Sequence, residues 1–347
     1  MGDILALAAD NLLSPIILSF VLGLAASLAR SDLSIPEAIA KGLSIYLLFA
    51  IGFKGGVAVS EHGIDLTLGM SLVAGVVLSF LLPFVAYALL RWITRLSPLD
   101  AAATAGHYGS ISIVTFVTAT SVLESQGIAF EGYMVAVAAA MEAPAILPAL
   151  WLVARGGGGP QTDSGLWREI LLNGSIVLLV GSFLIGWATG PEGLAEIDSF
   201  IVAPFKGVLC LFLLDMGLVA GRGLRGGLGV LGGGAIAFGV IMPPVGAVAG
   251  LAAAAVLGLS PGGAVLLMTL AASASYIAVP AAMRVALPEA HPSVYLTLSL
   301  GVTFPFNLVI GIPFYVAAAN WAFVGCRCRP IWQRVWKSDS RRRCSGG

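Results

Sequence analysis

The chain has 347 residues, 58% hydrophobic and 10% charged, with 18 basic side chains against 18 acidic ones. So few charges exclude an ordinary soluble domain, in which about a quarter of residues are charged. A net charge of zero gives no electrostatic reason to expect a nucleic-acid partner.

The opening MGDILALAAD has no basic n-region and no cleavage site, so no removable signal peptide is expected. A bilayer crossing needs about 20 mostly apolar residues. On that measure ten transmembrane helices are predicted, at 12–29, 36–58, 67–92, 99–122, 131–154, 168–189, 199–221, 228–257, 261–285 and 293–323. The reading is an all-α polytopic membrane protein. The 44 glycines and 18 prolines are spread through these apolar runs, as is usual where small residues let helices approach closely. Residues 155–167, with four consecutive glycines and then PQTDSG, predict a flexible linker between a first half (1–154) and a second half (168–324). Residues 325–347 form a basic tail expected to be disordered.

The halves echo each other in order. Lys41-Gly42 precedes Leu47, Leu48 and Gly52, and Lys206-Gly207 precedes Phe212, Leu213 and Gly217 at the same spacing. Pro83 is answered by Pro243-Pro244, and Tyr133 and Pro144 by Tyr295 and Pro305. Ser97-Pro98 and Ser260-Pro261 are each followed, at nearly constant offset, by a polar notch. One notch is Gly109-Ser110-Ile111-Ser112-Ile113 and the other is Ala272-Ser273-Ala274-Ser275-Tyr276. Five spans per half is an odd number, so the second half enters from the opposite side and the repeats are inverted. Arg30, Lys41, Arg91, Arg95, Arg155, Arg168, Arg222, Arg225 and Arg284 then share one side, which the positive-inside rule makes cytoplasmic. Both termini are expected outside, although the tail bases Arg327, Arg329, Arg334, Lys337 and Arg341–Arg343 run against that rule.

Lipid cannot satisfy freed backbone groups, so an interrupted helix at membrane depth must line a protein-enclosed cavity. Interruptions at matching places in two repeats point to a transporter's binding site. Half-helix N-termini there offer free N–H groups and the positive end of a dipole, which suit a small anion. Ser110, Ser112, Ser273 and Ser275 add hydroxyls to that site. Thr115 follows Ser112 by about one helical turn, and Tyr276 directly follows the second notch.

Glu142 lies near the middle of the fifth span, and an ionisable group at that depth marks an ion or substrate path. Its counterpart region is Thr303-Phe304-Pro305-Phe306-Asn307, and Pro144 and Pro305 free carbonyls nearby. Glu142, Thr303 and Asn307 are therefore the candidate sodium ligands, with sodium as coupling ion and no other cofactor. Asp215 lacks a repeat partner and is read as a gate or oligomer contact. Asp100 complements a helix dipole, while His107, one turn before the first notch, is read as packing, with tuning of that notch as the alternative. Cys210 is read as a small apolar residue and Cys326, Cys328 and Cys344 as free tail thiols, since their spacing is not that of a zinc site. No G-x-S-x-G, H-E-x-x-H or P-loop occurs, so no enzyme is expected.

SASYIAVPAAMR (273–284), SLGVTFPFNLVIGIPFY (299–315), IPEAI (35–39) and the stretch Gly106–Leu147 resemble the sodium-dependent bicarbonate permeases of the SbtA type. The resemblance runs over residues 12 to 320. It implies a core domain with crossed broken helices beside a scaffold domain, sliding against each other to carry bicarbonate with sodium, as a homotrimer in the bacterial inner membrane. It also implies a PII-like regulatory partner. Ser112, Thr115, Ser273, Ser275 and Tyr276 match the family's anion-site positions, and Glu142 stands where relatives carry aspartate in FMDIPA. The family's first notch reads GLFGAVSGSTM. Here Ile113-Val114 replaces its Gly-Ser pair, which removes a donor and adds bulk. Three alternatives stay open: another small carboxylate as cargo, sodium–proton exchange, and a non-transporting membrane sensor or scaffold.

Overall fold

The computed structural model describes residues 13–155 without 64 and 143, then 174–227, 231–276, 279, 280, 283, 287 and 289–325. The linker and tail read at 155–167 and 325–347 lie outside these residues except at 155 and 325, as do the tail cysteines. The described chain is helical, without strands. The first half contributes α1 (Pro15–Leu28), α2 (Glu37–His62), α3 (Leu66–Ile93), α4 (Pro98–His107), α5 (Ile113–Ser125), α6 (Met134–Ala140) and α7 (Ile146–Arg155). The second contributes α8 (Gly174–Ile201), α9 (Phe205–Gly227), α10 (Gly233–Leu257), α11 (Pro261–Ala272) and α12 (Pro292–Phe323). Six of these, α2, α3, α8, α9, α10 and α12, are long and apolar enough to cross a bilayer.

Local chemistry starts the helices where the sequence predicts. Ser97 and Ser260 are N-caps whose hydroxyls accept from Asp100 N and Gly263 N at 3.0 Å each, with proline in the first turn of α4 and α11. Proline suits that position because its missing N–H would have had no intrahelical partner. The predicted spans 99–122, 131–154 and 261–285 are not continuous helices: the chain breaks after His107, after Ala140 and after Ala272. The sixth and seventh spans also shift. A kink at Gly190 (φ 62°), followed by Pro191, carries helix on to Ile201, and the next helix starts only at Phe205. Glu192, Glu196 and Asp198 make this stretch look like a loop, but Leu194 and Ile197 face the core and Ile201 is buried there.

The packing comes in matched pairs. α2 lies along α8 and α1 along α9; α3 pairs with α10; α4 rests on α3 and α7 as α11 rests on α10 and α12. Between helices that leave no water behind on meeting, close backbone approach drives association. A Cβ on Gly56 would overlap the Phe183 carbonyl oxygen and come within 2.6 Å of the Trp187 amide nitrogen, and one on Gly52 would sit 2.6 Å from the Leu179 carbonyl oxygen. Gly217 of α9 is pressed in the same way on the backbone of Phe20 and Leu24. Gly56→Ala is therefore expected to cost about 1–3 kcal/mol by overpacking and to lower the melting temperature in detergent. Gly69→Ala, where nothing lies within 4 Å, should leave it unchanged or slightly raised. Equal melting of the two variants would count against this packing.

Candidate functional site

The two predicted notches meet. α4 ends at His107 and α5 begins after Ser112; α11 ends at Ala272, and residues 279, 280 and 283 beyond the second break are helical again. The backbone N–H of Ser112 donates to Ser273 Oγ at 2.9 Å, and the N–H of Ser275 donates to the His107 carbonyl at 2.8 Å. Each break thus satisfies polar groups that the other exposes, in a region where water is not at hand. Ser110, Ser112, Thr115, Ser273 and Ser275 are all buried.

Their roles differ. Ser112 is the N-cap of α5, its Oγ accepting from Thr115 N at 3.2 Å and Thr115 Oγ1 at 2.9 Å. Both acceptor positions of that hydroxyl are filled, so its proton is left for a further acceptor. The N–H groups of Ile113 and Val114, in the first turn of α5, have no partner within their helix. The Tyr276 hydroxyl lies beside Ser112, and its ring stands edge-on to Phe304. Ser273 Oγ is spent on Leu270 O and Ser112 N, and Ser275 Oγ faces Val279 N at 3.4 Å. Ser110 is a brace, its hydroxyl donating to the Glu142 carbonyl at 2.9 Å.

The fifth and last spans hold the crossing from either side. The break between α6 and α7 frees the carbonyls of Met141 and Glu142, which Ser79 and Ser110 take up at 2.8 and 2.9 Å. On the other side Asn307 Nδ2 donates to the Ala272 carbonyl at 2.9 Å, and its Oδ1 accepts from the Tyr315 hydroxyl at 2.7 Å. Thr303 Oγ1 donates to the Gly239 carbonyl at 2.8 Å and lies 2.6 Å from the Tyr108 hydroxyl. α12 is wound as π-helix over Thr297–Thr303 and Asn307–Gly311, on either side of Pro305. Glu142 is 4% exposed, yet its Oε2 has no hydrogen-bond partner. No hydrogen bond joins Glu142 to Thr303 or Asn307, and the described residues contain no group of three or more His, Cys, Asp or Glu side chains able to hold a metal.

Facing the helices α2 and α9, Ile113 and Val114 close against Ser44, Leu47, Leu48, Ile51 and Phe212 around a crevice of about 10 Å3. That is the space of about one water. A wider pocket of about 260 Å3 lies between α2 and α5, lined by Lys54, Phe116, Thr120, Glu124 and Phe205, with Lys54 Nζ 3.2 Å from Glu124 Oε1.

Residues 15–320 match the profile of the Na+-dependent bicarbonate transporter superfamily. The chain belongs to that superfamily. The match covers the whole described body apart from its ends, including both breaks, α6, α7 and most of α12. Among curated proteins nothing matches. Membership places the chain among multi-pass membrane transporters.

Other residues of this superfamily member carry more than the sequence reading gave them. Asp100 accepts from the His291 backbone N at 2.9 Å and faces its ring at 3.1 Å, tying the start of the last span to α4. Glu131, in the connection between α5 and α6, braces the start of α11, accepting from Ser260 N at 2.7 Å and Ser260 Oγ at 2.9 Å. His107 does not merely pack, because its ring bonds to the second notch. The available signal was a lone histidine one turn before a helix break.

Proposed function

We propose that this chain is a secondary active transporter that carries a small anion, with bicarbonate as leading cargo, together with sodium by alternating access. The observation that carries the reading is the mutual hydrogen bonding of two helix breaks in an enclosed site. Free N–H groups of α5, the Ser112 proton and the Tyr276 hydroxyl form an anion lining with no fixed cation among the described residues there. The matched packing supports ten transmembrane helices in two inverted five-helix repeats, with α1, α2, α8 and α9 as scaffold and the rest as the moving core. Glu142 supplies the sodium-linked charge, with the loosened carbonyls of the last span near Thr303 and Asn307 as further oxygen ligands. The protein works as a homotrimer in the bacterial inner membrane, open to a PII-like regulator.

Proteoliposomes holding the purified chain should take up labelled bicarbonate only under an inward sodium gradient. Sodium-independent uptake, or none, would overturn the reading. The bulk of Ile113 and Val114 favours a small cargo, so a panel of small carboxylates belongs in the same assay. Proton movement seen by a pH dye without any anion would instead mark sodium–proton exchange through Glu142.

A further inference from the structure

His107 is the last residue of α4, and its ring is wholly enclosed. Nδ1 lies 2.7 Å from the Ser275 carbonyl oxygen, while Ser275 N donates to the His107 carbonyl. Residues 107 and 275 are therefore clipped by two bonds, one from the main chain and one from the side chain. A carbonyl oxygen only accepts, so Nδ1 carries the proton of the neutral ring. Nε2 is then a bare acceptor, buried and without a donor among the described residues. The ring stacks on Tyr295, with centroids 4.4 Å apart and planes at 23°, which fixes its orientation.

The Ser275 carbonyl belongs to the second break, where the chain is not helical, and among the described residues the partner of its oxygen is the His107 ring. Left free, such an oxygen would repel an anion and attract a cation. We propose that His107 is a positioning residue for the solute: its Nδ1–H holds the Ser275 carbonyl oxygen away from the crossing, so that N–H and O–H groups alone face the cargo and the site selects an anion. This inference rests on the crossing being the solute site.

The test exploits side-chain geometry. Asparagine places an amide N–H close to the position of Nδ1, glutamine places it farther out near that of Nε2, and leucine fills the volume with no donor. His107→Leu should raise the half-saturating bicarbonate concentration about 10-fold, with a smaller change in maximal rate per folded transporter, as fits one lost buried hydrogen bond. The half-saturating sodium concentration should stay as it is. His107→Asn should recover most of the loss, and His107→Gln should not. Unchanged affinity in His107→Leu, or His107→Asn as impaired as His107→Leu, would overturn the proposal. A second measurement is independent of uptake. The chain has three histidines, and 15N-histidine labelling in liposomes, with the His107 signal assigned by its absence from His107→Asn, should show that ring neutral and protonated on Nδ1. A proton on Nε2 of His107 overturns the proposal even if transport proceeds. If the wild type moves no bicarbonate while the Nδ1 proton is found, the transport reading fails and the clip stands.

Discussion

Ser112→Leu should reduce sodium-driven bicarbonate uptake by about 100-fold or more, to near background. Three losses fall on one side chain. The cap of α5 goes, at about 1 kcal/mol. The Thr115 hydroxyl loses its acceptor, at about another 1 kcal/mol. The larger side chain must also enter a site where Ser112 is 4% exposed, at about 1–3 kcal/mol of overpacking. These costs fall on the fold of the site; the 100-fold loss of uptake, which corresponds to roughly 2.7 kcal/mol, comes from the solute losing the Ser112 proton and the space that leucine takes. Ser112→Thr keeps the oxygen and should lose no more than about 10-fold, because its cap survives. Uptake should be normalised to protein that stays monodisperse in detergent, which separates a blocked site from a failed fold. Wild-type uptake by the leucine variant would remove the crossing as the solute site.

Glu142→Gln should move stability and coupling in opposite directions. An ionised carboxylate enclosed without a partner is costly, and a nearby cation or a proton relieves it. Glutamine keeps the shape and has no charge to relieve. In sodium-free buffer the variant should therefore melt at or above the wild-type temperature. Wild-type protein should gain stability with sodium, by about 2.7 kcal/mol at 100 times the dissociation constant. The variant should lose most of that gain, and its half-saturating sodium concentration for uptake should rise about 10-fold or more, the effect of losing about 1.4 kcal/mol of sodium binding. A full sodium-dependent stabilisation in Glu142→Gln would place the coupling ion elsewhere.

Much of this molecule was legible from neighbouring residues. Ser97-Pro98 and Ser260-Pro261 announced helix starts, because capping and proline act within one turn. The serine notches announced breaks, since they interrupt apolar runs at matched places. Pro144 predicts freed carbonyls in the fifth span, and the chain does open there, between α6 and α7. The stretch from Gly190 to Asp198 reads as a loop between two spans and is helix, because a kinked amphipathic helix with three acids has the composition of a loop. Ser110 could not be told from Ser112, since only the position of Glu142 in space makes one a brace and the other a cap.

The sequence by itself determined that the chain is a bundle of membrane helices, and it located where those helices lose their winding. Both follow from interactions a few residues long: apolar runs, N-caps, prolines and small residues. Only the tertiary structure decided which polar groups brace the breaks and which are left for a solute. The deciding bonds, Ser112 to Ser273 and His107 to Ser275, join residues 161 and 168 positions apart. No local pattern encodes them, because in an apolar surround each exposed donor takes whichever acceptor the packing of distant helices brings within reach.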